Sequence, residues 1–103
     1  MFDCRAIHNP GRYNEYKHLT GRDSEVIKFL EKTDEAGDFV NNAVGIVSPS
    51  IKRYLERGFT SLQVGFGCTG GQHRSVYCAE KFTEIISKKF PEITVKLIHR
   101  EQE

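Results

Sequence analysis

The sequence predicts a small α/β domain, a three-layer sandwich with a mostly parallel sheet. Three observations predict it. Short strand-like runs alternate with longer helical ones in the order strand, helices, strand, helix, strand. Residues 73 to 89 carry Val76, Ala79, Phe82, Ile86 and, just beyond, Phe90 at helical spacing. The chain has 103 residues, enough for one core and too few for two.

The elements follow in order. Residues 2 to 7, FDCRAI, alternate as a first strand, with Phe2, Cys4 and Ala6 on one side. Residues 8 to 21 have no period and read as a long, Tyr- and His-bearing loop. Asp23 or Thr20 caps a short helix with Val26, Ile27, Phe29 and Leu30 as its apolar face. A second helix begins near Asp34 and carries Ala36, Phe39, Val40, Ala43, Val44 and Val47. Ser48 and Pro49 either restart it or kink a single helix, and Gly58 ends it. SLQVGFG at 61 to 67 reads as a second strand, and ITVKLIH at 93 to 99 as a third after Pro91. A right-handed crossover from 61–67 through the long helix to 93–99 is expected.

Composition narrows the function. Fifteen basic against fourteen acidic residues give a formal charge of +1, so no global field draws the chain onto a polyanion. No run approaches 18 apolar residues and no basic-then-apolar leader opens the chain, which leads to the expectation of a soluble, cytoplasmic protein without membrane contact. The three cysteines, Cys4, Cys68 and Cys78, make no even framework and read as reduced thiols. His8, His18 and His99 make no metal spacing, and neither a metal nor a cofactor is expected.

The informative segment is GFGCTGGQHRSV at 65 to 76, a strand running through a glycine-rich turn into a helix. Such a turn lets backbone amides approach an anion, and the helix start adds unpaired N–H groups and a positive dipole end. The candidate ligand residues are Cys68, Thr69, Gly70, Gly71, His73, Arg74 and Ser75. Together they suit a phosphate. The triphosphate loop pattern fails for want of its Lys, and Gly65, Gly67 and Gly70 match the dinucleotide pattern only with Gly65 inside the strand. Cys68, Arg74 and Ser75 also spell the C-x5-R-S loop of cysteine-dependent phosphatases, in which the thiolate attacks the phosphate. Gly67 replaces the His usual before that Cys, and no general acid is evident nearby. A purely structural turn, as in an assembly domain, is the third reading. Arg12, Tyr13, Tyr16 and Lys17 interleave basic and aromatic groups, a pattern shared by nucleic-acid contacts and packed loops.

FDCRAIHNP at 2–10, HLTGRD at 18–23, GFGCTGGQHRSVYCAE at 65–80 and LIHRE at 97–101 resemble the C-terminal domain of the RapZ family, bacterial RNase adapters with an N-terminal ATPase-like domain. The resemblance covers essentially the whole chain. It implies a fold like the sugar-phosphate-binding part of phosphofructokinase. It also implies sensing of an amino-sugar phosphate, binding of small regulatory RNA for presentation to an RNase, and a part in homo-oligomer assembly. Residues 68–71 with His73, Arg74 and Ser75 resemble the ligand loop, and Asn9 and Thr20 lie in the other matching stretches. Two departures stand out. Gly11 takes the place of the family's His after Asn-Pro, and the chain ends HREQE rather than in a basic run.

Overall fold

A computed structural model describes residues 1–58, 61–68 and 72–99. Strand β1 is Phe2–Asp3 and strand β2 is Phe66–Gly67. Between them lie two single 3-10 turns, Pro10–Arg12 and Asn14–Tyr16, then helices α1 (Ser24–Leu30) and α2 (Glu35–Arg57). Helix α3, Arg74–Lys89, follows β2. The strands run parallel, with Phe2 opposite Phe66 and Asp3 opposite Gly67.

The molecule is therefore mostly helical, and the expected three-layer sandwich with a mostly parallel, phosphofructokinase-like sheet is not what forms. The described residues hold one two-stranded pair. The reasons are local. The strand expected over 2–7 stops because its backbone groups go elsewhere. The Arg5 N–H donates to Asp3 Oδ1 at 2.9 Å and the Ile7 N–H to the Cys4 carbonyl at 3.1 Å, which turns the chain. The carbonyls of Arg5 and Ile7 go to the Arg74 side chain. Residues 93–99 form no strand. Ile93 packs on the core, but Val95 and Ile98 stay exposed, and the His99 ring meets Glu80 of α3 at 2.9 Å. The expected crossover thus has no second strand on which to land.

The helices form for the reasons their periodicity gives. Val40, Ala43, Val44, Val47 and Ile51 of α2 face Tyr77, Cys78, Phe82 and Ile86 of α3 across one core, closed by Cys4, Ile7, Val26, Leu30 and Phe90. Pro49 lies inside α2, which runs on as one helix. The Ser48 hydroxyl does not cap a new helix. It donates back to the Val44 carbonyl at 2.7 Å and accepts from Lys89 Nζ at 3.1 Å. Gly58, at φ 70°, ends α2 in the left-handed conformation that glycine adopts without strain. Asp23 precedes α1, with its carboxylate accepting the Thr20 N–H at 2.7 Å.

Candidate functional site

The start of α3 is the meeting point of the molecule. β2 delivers Cys68 to it. The Ser75 N–H donates to Cys68 Sγ at 3.3 Å, and the thiol donates to Ser75 Oγ at 3.3 Å. A cysteine sulfur thus sits against the first turn of a helix. Thr69, Gly70 and Gly71, expected to line the ligand loop, lie outside the described residues.

Arg74 is the most constrained of the candidates. It is 4% exposed. Its Nη1 donates to the carbonyls of Arg5, at 2.8 Å, and Ile7, at 2.9 Å. Its Nε is buried with no hydrogen-bond partner among the described residues. A buried guanidinium edge left unsatisfied is costly, and its positive charge calls for an anion. Its charge also helps hold the neighbouring acidic groups ionised. The Asp3 carboxyl is lowered to about 2, chiefly by the Arg5 side chain that it binds and to a smaller extent by Arg74.

His73, expected among the ligand residues, is buried. Its Nε2 donates to the Tyr16 carbonyl at 2.8 Å. Gly11 lies alongside that ring. A Cβ on Gly11 would stand 3.5 Å from His73 Nδ1 and 3.1 Å from Asn9 Oδ1. Asn9 itself spends its carbonyl oxygen on the Gly11 N–H at 2.9 Å, and Thr20 Oγ1 accepts the Arg22 N–H at 3.2 Å. Both residues shape the turns that reach α3, and Asn9 stands beside His73.

Two contributors had only weak signals in the sequence. Gln72 Nε2 donates to the carbonyls of Lys17 and Leu19, both at 2.6 Å, and its own carbonyl accepts the Gly21 N–H at 3.0 Å. Gly21 is packed so closely on α3 that a Cβ there would fall 2.3 Å from the His73 carbonyl and 2.5 Å from the Tyr77 nitrogen. A lone glycine between Thr20 and Arg22 was the only hint of that approach. Gly21→Ala should cost about 1–3 kcal/mol or more, as overpacking does, because backbone rather than a flexible side chain must yield. Thermal denaturation beside Gly37→Ala, where a Cβ meets nothing, checks this.

The three sequence stretches around Asn9, Thr20 and Cys68 therefore converge on one helix start. No helix among the described residues is long and apolar enough to cross a membrane, and no group of three potential metal ligands occurs among them.

Comparison with known proteins fits this convergence. A protein named "Nucleotide-binding protein" from Fervidobacterium nodosum is 38% identical over 103 residues, covering 100% of this chain and 36% of the relative. One of the same name from Petrotoga mobilis is 39% identical over 103 residues, covering 100% and 35%. A third, from Thermotoga neapolitana, is 38% identical over the same length and share as the first. The chain thus spans about a third of the length of these relatives. The family model for the RapZ C-terminal domain matches residues 1–103, from end to end, and the chain belongs to that family.

Proposed function

We propose that this domain binds a phosphorylated small molecule at the start of α3, as a sensing or regulatory module. The observation that carries the reading is the buried Arg74 edge. Its Nε has no partner among the described residues, and it belongs to the first residue of a helix whose N-terminus favours anions. Cys68 and Ser75 face each other at the same turn, and the glycine-rich residues 69–71 join Cys68 to it.

The ligand class is a phosphate monoester of a sugar or amino sugar. Support for the sugar comes from the family resemblance. Support for the phosphate comes from the residues. The relatives are named for nucleotide binding, but this chain spans a third of each and carries no triphosphate loop of its own. With Gly11 the chain offers no side chain at that position beside His73, so an imidazole contact from there to the sugar is missing.

The test is an NMR titration of the whole chain with glucosamine-6-phosphate, fructose-6-phosphate, inorganic phosphate and unphosphorylated glucosamine. Saturable shifts at Cys68, Ser75 and Val76 with the phosphorylated compounds alone are expected. Equal shifts with glucosamine, or none with any phosphate, would reject the reading.

A role as an RNA adapter belongs to the same reading. With a formal charge of +1, RNA binding should be weak and its salt slope shallow, because few phosphate contacts release few counterions. Electrophoretic mobility at two salt concentrations measures it, and tight binding that survives raised salt would contradict it.

The phosphatase reading keeps one specific observation, the Cys68 sulfur held against the first turn of α3 by the Ser75 N–H. Asp3, paired with Gly67 across the strand ladder, is held ionised by Arg5 and has no proton to give a leaving group. Turnover of an aryl phosphate that disappears in Cys68→Ser would establish the enzyme.

A further inference from the structure

The chain's three cysteines, 64 and 10 residues apart in sequence, come together in the fold. β1 and β2 pair with Asp3 opposite Gly67, and the Cys4 N–H extends that ladder to the Gly67 carbonyl at 2.7 Å. One step further along the same register, Cys4 stands opposite Cys68. Residues opposite each other in a parallel pair share a face, and the strand spacing of about 4.8 Å lies inside the range of about 4.4–6.8 Å between Cα atoms that a disulfide bridges. On α3, Ser75 bonds the Cys68 sulfur, and Cys78, about one helical turn further on, is buried in the same core cluster as Cys4. Both strand-end thiols therefore lean on one helix. Cys4 and Cys78 are 0% exposed, and Cys68 alone of the three has access to solvent.

We propose that Cys68 is a site of oxidation by a peroxide and that Cys4 traps the product as a Cys4–Cys68 disulfide. The steps balance. The Cys68 sulfur attacks one peroxide oxygen, an S–O bond forms, the O–O bond breaks, and the second oxygen leaves as water with the thiol proton. The Cys4 sulfur then attacks the sulfenic sulfur. The S–S bond forms, the S–O bond breaks, and the oxygen leaves as a second water with the Cys4 proton. Two thiols are oxidised, one peroxide is reduced, and two waters result.

The surroundings suit each role. The Ser75 N–H points at the Cys68 sulfur from the positive end of α3. The Cys78 S–H donor, with the Arg74 guanidinium, holds the Cys4 thiol below its ordinary range and favours the thiolate that resolves the sulfenic acid. The same pairing, with burial, pushes Cys78 up and keeps it a spectator thiol. Because Cys68 opens the candidate phosphate loop, the bridge would tie that loop to β1. The disulfide itself does not depend on phosphate binding.

The experiment treats the folded full chain with hydrogen peroxide at neutral pH, alkylates the remaining thiols and digests with trypsin. Cleavage after Arg5, Arg57, Arg74 and Lys81 puts each cysteine in its own peptide. A cross-link is expected between the peptide ending at Arg5 and the peptide 58–74, lighter by two hydrogens and reversed by dithiothreitol. It should persist in Cys78→Ser and vanish in Cys68→Ser. In Cys4→Ser, Cys68 should advance to the sulfinic acid. A Cys4–Cys78 link in the natural sequence, or overoxidised Cys68 without any link, would overturn the proposal. The natural-sequence map decides between these even where a buried variant does not fold.

Discussion

Arg74→Ala should lower the unfolding free energy by about 2–6 kcal/mol, seen as a shift of the urea midpoint. The figure follows from two acceptors, at about 1–3 kcal/mol for each buried polar group left unpaired. The Arg5 and Ile7 carbonyls have Nη1 of Arg74 as their donor, at 2.8 and 2.9 Å, and the second bond is buried. The chain leaving β1 would lose the tether that turns it toward the Asn9 and Tyr16 loop. Phosphate affinity in the remaining folded protein should fall about ten- to a hundredfold, the worth of one charge-assisted bond. Arg74→Lys should recover part of both, since an ammonium can reach one carbonyl but cannot reproduce the planar fork. Unchanged stability in Arg74→Ala would show that these carbonyls find other donors. Unchanged phosphate affinity would remove Arg74 from the site and leave it a purely structural residue.

Arg74 marks the boundary between what the residues reveal and what they do not. The stretch from Cys68 to Ser75 announces itself through the density of Gly, Thr, His, Arg and Ser around a strand-to-helix turn. Its Arg was expected to face a ligand. The structure turns Nη1 inward to a segment 67 and 69 residues away, a partner that local spacing cannot encode. His73, a candidate ligand residue in the sequence, is likewise buried with its ring on the Tyr16 carbonyl, 57 residues away. The helices were legible because their apolar periodicity is self-contained, down to the Gly58 stop. The sheet was not. Alternation at 93–99 says which side chains would share a face, but a strand exists only where another backbone accepts its hydrogen bonds. Here the Arg5 N–H and the Arg5 and Ile7 carbonyls are taken by side chains, and 93–99 lies outside the ladder. The same logic hid the cysteine cluster, which appears only once the register of β1 against β2 is known.

Phe82→Ala should cost about 3–5 kcal/mol, the range for a buried aromatic cut to a methyl group. Phe82 is 7% exposed, and its ring meets Phe66 edge-on at 5.3 Å between centroids. Phe66 stacks on Phe2 at 5.4 Å, and Phe2 meets Phe39 edge-on at 6.5 Å. A line of four rings thus runs from α3 through β2 and β1 to α2. It fastens a ladder of only two residues per strand, too short to persist on its own hydrogen bonds. Removing Phe82 takes away both the buried area and the ring contact that presses β2 onto α3. Because β2 ends one residue before Cys68, the effect should reach the candidate site. The amides of Phe66, Gly67, Cys68 and Ser75 should shift in the NMR spectrum of the folded variant, while those of α1 stay in place. Phe82→Leu, which refills most of the space, should cost less and shift those amides less. A loss in Phe82→Ala that matches Phe82→Leu, with no change at Cys68, would mean that the ring line does not hold β2 against α3, and that the Cys68–Ser75 contacts and the main-chain ladder do so alone.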